Sequence, residues 1–337
     1  MRELERVADR MIYGTDSEWN MNIHHFDWVP GVGLYGIWRV YEVTGEERYF
    51  RFLTDWTHTH LQEACIQKTV NSTAPLLTIL ELYRKTGEEA YGKVCFDLAE
   101  YIRKDAPRTV DGGLEHTVTE DVDALVNQMW ADTLFMVCIF MARLGKLSGE
   151  RKYTEFAVNQ LVLHQKYLWD ESAQLYYHGW NGSLRNHMSG IFWGRANAWT
   201  IYSTVEILAA AGDFPERGEV LKRLERHVQG LGRWQRENGL FGTILNDPGA
   251  YDELSACAGI ACGIRRAVAG GLIGSSYLEI AKRTERVLPE YIDEQGNVLQ
   301  VSTGTPILAS AEDYKKVRLC PTLYGQGLTA LALAELV

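Results

Sequence analysis

The sequence predicts an all-α fold, a closed ring of helical hairpins, on three observations. Apolar residues recur at helical spacing, one turn motif repeats, and strand-like alternation is scarce. The motif reads YEVTGEERYFRF (41–52), YRKTGEEAYGKV (83–94) and GKLSGERKYTEF (145–156). Each copy puts a glycine where a helix C-cap needs one, then Glu, then Tyr opening the next periodic run, so each is a tight turn between two helices.

Before the second turn stand Leu76, Leu77, Leu80 and Tyr83; before the third, Leu134, Val137, Met141 and Leu144, again on one helical face. The second half continues with NAWTIYSTVEILAAAG, RGEVLKRLERHVQGLGRW, AGIACGIRRAVAGG, SSYLEIAKRTERVLPEYI and YGQGLTALALAELV. That makes about eleven or twelve helical segments. Loops are expected at 22–36, 106–128, 170–198, 237–255 and 295–326. No Pro/Ser-rich linker divides the chain, so residues 1–337 are expected to form one domain. An open solenoid is the alternative; degenerate repeats and unequal loops, long on one rim and tight on the other, favour the closed ring.

Of 337 residues, 46% are hydrophobic and 23% charged, a globular composition. The net charge is −10 with no basic block, which argues against a nucleic-acid or anionic-membrane surface. No apolar stretch is long enough to span a bilayer, and MRELERVADRMIYG is charged and lacks an apolar signal core, so a cytoplasmic protein is expected. Cys65, Cys95, Cys138, Cys257, Cys262 and Cys320 include no CxxC pair and suit reduced thiols. Nothing in the pattern sets an oligomeric state.

GVGLYG (31–36) satisfies G-x-G-x-x-G, but HHFDWVP precedes it where a dinucleotide site needs a strand. These glycines instead let a helix start close to its neighbour, with Trp28 and Tyr35 facing a cavity. The nine histidines form no recognisable zinc set, so no metal is expected. His116 and His178 sit in Gly-flanked loops that can line a mouth. Trp28, Tyr35, Trp130, Tyr177, Trp180, Trp193 and Trp199 gather toward one rim together with Arg195 and Asn197, as in a sugar-binding cavity. Arg195, in FWGRANAW, could hold a ligand carboxylate or form an internal salt bridge.

One carboxylate stands out. Asp132 lies in QMWADTLFMVCIF beside Trp130, Leu134, Met136 and Val137, with no Lys or Arg within four residues. Desolvation there would raise its pKa toward that of a general acid; the bland alternative is a helix cap.

Taken together, GVGLYGIWRVYEVTG, NSTAPLLTILELY, DGGLEHT, QMWADTLFM, LYYHGW, FWGRANAW, YDELSACAGIACGI and YGQG resemble, over almost the full length, the unsaturated rhamnogalacturonyl hydrolases of glycoside hydrolase family 105. The resemblance implies an (α/α)6 barrel, no metal or organic cofactor, and a small oligosaccharide substrate ending in a 4,5-unsaturated uronic acid. It implies that Asp132 protonates C4 and helps water add at C5 of the double bond. His116, His178 and Arg195 would line the subsite, Arg195 holding the carboxylate, with Tyr35, Trp193 and Trp199 as walls. Trp130, Met136 and Asn197 join this substrate-binding set, and Glu253 is a further candidate. Asn71 stands where some relatives carry a second Asp, so it is expected to bind substrate or water only. Loops 106–128 and 295–320 would choose the neighbouring sugar. Competing readings are an inverting glycosidase with two carboxylates across the bond, a sugar epimerase using paired histidines, or a non-catalytic helical-repeat binding module.

Overall fold

The computed structural model describes residues 1–14 and 18–337. Its helices are α1 Arg2–Tyr13, α2 Trp28–Thr44, α3 Glu47–Ile66, α4 Val70–Thr73, α5 Leu76–Thr86, α6 Glu89–Lys104, α7 Ile139–Ser148 and α8 Arg151–Leu168. They continue with α9 Gly194–Ala211, α10 Arg217–Trp234, α11 Leu254–Ala269, α12 Leu278–Val287, α13 Ala311–Lys315 and α14 Leu323–Ala334.

The helices α2, α5, α7, α9, α11 and α14 pack side by side in that order, and α14 returns to α2. Each has an outer partner: α3, α6, α8, α10, α12 and, closing the circle from the other terminus, α1. This is the (α/α)6 barrel, and the open solenoid is excluded because first and last inner helices touch. The inner helices are apolar on every face because neighbours surround them; all of Leu323–Ala334 is buried.

The three repeated turns are helix C-caps as expected: Gly45, Gly87 and Gly149 adopt φ of 70°, 71° and 75°, a region closed to most side chains. The predicted loop 22–36 is shorter than its glycines suggested, since α2 already begins at Trp28, capped by the Asp27 carboxylate. GVGLYG lies inside that helix. Its glycines permit close approach: a Cβ on Gly31 would stand 2.6 Å from the Pro75 nitrogen, and one on Gly36 2.7 Å from Gly327 Cα.

At the C-terminal halves of the inner helices, four arginines and four glutamates close into a ring. Arg39 bonds Glu42 (2.5 Å) and Glu335 (3.0 Å), and Glu42 meets Arg84 (3.4 Å). Arg84 binds Glu81 (2.7 Å), Glu81 binds Arg143 (3.0 Å), and Arg143 pairs with Glu206. Glu206 binds Arg266 (2.6 Å), which returns to Glu335 (2.5 Å). All six inner helices, counting the Glu335 cap of α14, contribute. The ring is charge-neutral, so desolvated ions are compensated pair by pair.

Candidate active site

The opposite end of the barrel carries the cavity. Here the inner helices begin, so their positive dipole ends converge. The long loops fold over this rim, as their unequal lengths predicted. A cavity of about 420 Å³ opens there, lined by Asn71, His116, Trp130, Asp132, Met136, Trp193 and Arg195, with Trp19, Trp28, Val118, Glu120, Ala124, Leu125, Gly304, Thr305 and Pro306 completing the wall.

Asp132 is not in mid-helix. A short strand, β1 (Gln128–Trp130), precedes it and pairs antiparallel with a second, β2 (Gly179–Asn181), Trp130 standing opposite Gly179. The Ala131 amide then donates to the His178 carbonyl (3.0 Å), which brings the His178 ring beside the Asp132 carboxyl. A π-helical turn, Leu134–Cys138, follows at once. Such turns insert an extra residue into a helix and are frequent at functional sites, where they re-aim side chains.

His178 Nε2 lies 3.4 Å from Asp132 Oδ2, and the aspartate side chain keeps 14% of its surface exposed toward the cavity. On the other side His116 stacks on Trp130 at 4.5 Å, nearly parallel, and its Nδ1 meets the Thr133 hydroxyl at 3.0 Å. His178 is wedged against Trp193 at 4.1 Å.

The expected rise in the pKa of Asp132 is corrected. Burial does push the carboxyl up, but the His178 imidazole 3.4 Å away, with His116 and Arg195 further off, outweighs it and holds it below the usual range. The sequence window showed only apolar neighbours because these partners come from remote segments. The histidines shift the other way: burial lowers His116 to about 4 against the pull of Asp132, and burial also lowers His178. Both are neutral near pH 7. Asp27, which caps α2 close to the mouth, rises to about 6 through burial.

Arg195 is 1% exposed and forms the internal salt bridge that the sequence left open. Its Nη1 donates to Glu253 (3.3 Å), Ser255 and Ser302, and Nη2 to the Thr303 carbonyl (3.0 Å) and Thr305. Its guanidinium lies between Trp193 (4.4 Å) and Tyr324 (4.7 Å). The terminal fork is therefore engaged; Arg195 still borders the cavity, and its buried Nε–H has no hydrogen-bond partner.

Five residues expected to contact substrate do not line the cavity; His178, 1% exposed, stands behind Asp132 instead of on the wall. Tyr35 sits seven residues along α2, about 10 Å below Trp28, where its hydroxyl meets Arg143 and Tyr202. Trp199 is fully buried against Phe135 at 4.5 Å. Asn197 is fully buried too, bonded to Tyr176, Trp193 and His227. Glu253 has no exposed surface; it caps α11 through the Ala256 amide and neutralises Arg195. These last four positions were expected from the family resemblance, and here the helices that carry or follow them turn them away from the cavity. Sequence reasoning missed Trp19, Glu120 and Thr305 on the wall and Tyr314 behind it; all but Trp19 lie in the two loops expected to choose the neighbouring sugar.

Among the described residues no group of three His, Cys, Asp or Glu is placed to hold a metal, and no helix is long and apolar enough to cross a membrane.

An inner ring of six helices with an aspartate beside two histidines and tryptophans at its open end is the site type of a glycosidase. The chain belongs to Glycosyl Hydrolase Family 88, whose model matches residues 3–337. It is similar to the unsaturated rhamnogalacturonyl hydrolase YesR of Bacillus subtilis, with 34% identity over 98% of this chain and 94% of that protein. Its fold matches a Salmonella enterica structure described as a possible member of the GH105 family (TM-score 0.93, 30% identity, 99% and 92% coverage). A Klebsiella pneumoniae structure of the same description matches at TM-score 0.92 and 31% identity, with the same coverage. The family-105 resemblance read from the motifs agrees with these likenesses.

Proposed function

We propose that the protein removes a terminal 4,5-unsaturated uronic acid from the oligosaccharides a polysaccharide lyase produces, by hydrating the C4=C5 bond. The observation that carries this reading is Asp132, whose carboxyl lies beside His178 and near His116, Trp130 and Trp193 in a cavity of sugar-binding size. Similarity to YesR, an unsaturated rhamnogalacturonyl hydrolase, supports substrates of the rhamnogalacturonan type.

The uronate carboxylate enters toward the helix N-termini and the Arg195 Nε–H. It brings a second negative charge beside Asp132, and two carboxylates sharing a site favour protonation of one, so substrate binding itself loads the acid. Asp132 then gives its proton to C4, leaving positive charge at C5 shared with the ring oxygen. Water adds at C5 and returns a proton to Asp132. The resulting hemiketal opens: the added oxygen becomes the C5 ketone, the ring oxygen stays on C1 as a hydroxyl, and C1 expels the neighbouring sugar as an alcohol. One water is consumed and the general acid is restored. His178 and His116 orient the carboxyl, Trp130, Trp193 and Met136 wall the ring, and Asn71 binds substrate or water.

An inverting glycosidase needs a second carboxylate across the bond. Of the described acidic residues, Asp132 and Glu120 line the cavity; Asp111 bonds the Trp180 indole and Glu253 is spent on Arg195. We further propose that residues 1–337 act as one catalytic domain and that the protein works in the cytoplasm, the latter supported by buried thiols at Cys95, Cys138, Cys257 and Cys262.

The test follows the ultraviolet absorbance of the conjugated double bond during incubation with a lyase digest of rhamnogalacturonan. Loss of absorbance with release of reducing sugar is expected, and Asp132→Asn should slow it roughly 10²–10⁴-fold while folding normally. Cleavage of saturated oligosaccharides with the double-bond signal unchanged would instead establish the inverting glycosidase.

A further inference from the structure

Behind His178, on the side away from the cavity, stands Tyr314. It lies on the short helix α13, is fully buried, and places its hydroxyl 2.7 Å from His178 Nδ1. A neutral imidazole carries one N–H and one lone pair, and the partners of its two nitrogens decide which is which.

On the cavity side, Nε2 faces the Asp132 carboxyl oxygen at 3.4 Å. Were the lone pair on Nε2, two acceptors would confront each other in a buried site, an arrangement low dielectric makes costly. The proton therefore belongs on Nε2, and Nδ1 requires a donor. The phenol supplies it. Burial raises Tyr314 to about 12, so the phenol keeps that proton at neutral pH.

We propose that Tyr314 is a positioning residue that fixes the tautomer of His178, so that the imidazole always presents Nε2–H to Asp132. The carboxylate then meets a donor each time it re-forms after protonating carbon. The rim loop 295–320, which the sequence marks only as a candidate for sugar choice, thereby takes part in holding the acid.

Imidazole nitrogen NMR of histidine-labelled protein at neutral pH tests this, with the His178 signals assigned by their loss in His178→Gln. The wild-type ring should be neutral with its proton on Nε2, and Tyr314→Phe should shift it toward a mixture containing the Nδ1–H form. In the same variant kcat should fall roughly 10- to 100-fold with KM almost unchanged. A wild-type ring protonated on Nδ1 or on both nitrogens would overturn the proposal, as would an unaltered tautomer and kcat in Tyr314→Phe. The kinetic arm rests on the hydration reading, whereas the wild-type spectrum needs neither substrate nor variant. Failure of the protein to hydrate unsaturated uronates would therefore remove that reading and leave the tautomer decided separately.

Discussion

Asn197 and His227 show how a polar residue in an aromatic-rich motif can be wholly structural. The Asn197 carboxamide accepts from the Tyr176 amide and from His227 Nε2, each at 2.9 Å, and donates to the Tyr176 and Trp193 carbonyls. Every capacity of the side chain is used inside the core. Burial lowers His227 to about 3 from an ordinary 6.5. The unfolded chain then takes up this proton first, so the stability tied to the neutral ring is complete above pH 6.5 and is lost as pH falls toward 3, on the order of a few kcal/mol. Unfolding free energy measured by urea titration should decline over that window, and His227→Gln should flatten the decline. Asp132, buried among charges rather than among apolar side chains alone, illustrates the opposite outcome: its carboxyl is held low by partners 46 and 63 residues away along the chain, His178 and Arg195.

At the scale of elements, α2 and α14 owe their closeness to glycine rather than to apolar complementarity. A Cβ on Gly36 would meet Gly327 Cα at 2.7 Å, and backbone cannot step aside as a flexible side chain can. Gly36→Ala should cost about 1–3 kcal/mol by overpacking, read as a lower denaturant midpoint, with KM for the oligosaccharide little changed because the contact lies deeper than the cavity. The pattern G-x-G-x-x-G thus marks a helix seam here, not a phosphate loop. The apolar segment QMWADTLFMVCIF around Asp132 is a strand, a turn, a π-helical turn and then the start of α7, because pairing with Gly179–Asn181 overrides local helical periodicity.

In the whole molecule, the ionic ring at one end and the cavity at the other divide the labour of the barrel. Each inner helix contributes a charge to the ring, so register among the helices is fixed where their axes end, and the cavity inherits that register at their beginnings. Glu206 is its best-buried acid, bridging Arg143 and Arg266, which hold its carboxyl below the ordinary range despite burial. Glu206→Gln leaves two arginines short of a counter-charge and should destabilise the fold by about 3–5 kcal/mol, seen in equilibrium denaturation. A loss below about 1 kcal/mol, the range of exposed pairs, would mean that water screens the ring.

By itself the sequence determined the helical class, the three tight turns, the crowded glycines and the one carboxylate that demanded a reason, because periodicity, left-handed caps and an unpaired Asp are local signals. About half of the cavity wall was legible too, since Trp28, Asn71, His116, Trp130, Asp132, Met136, Trp193 and Arg195 do line it. Only the tertiary structure decided that Arg195 answers Glu253, that Tyr35 belongs to the ionic end, and that Tyr314 stands behind His178. Those relations join residues between 58 and 136 positions apart, or about seven residues down one helix axis, and neither distance nor depth is written in local composition.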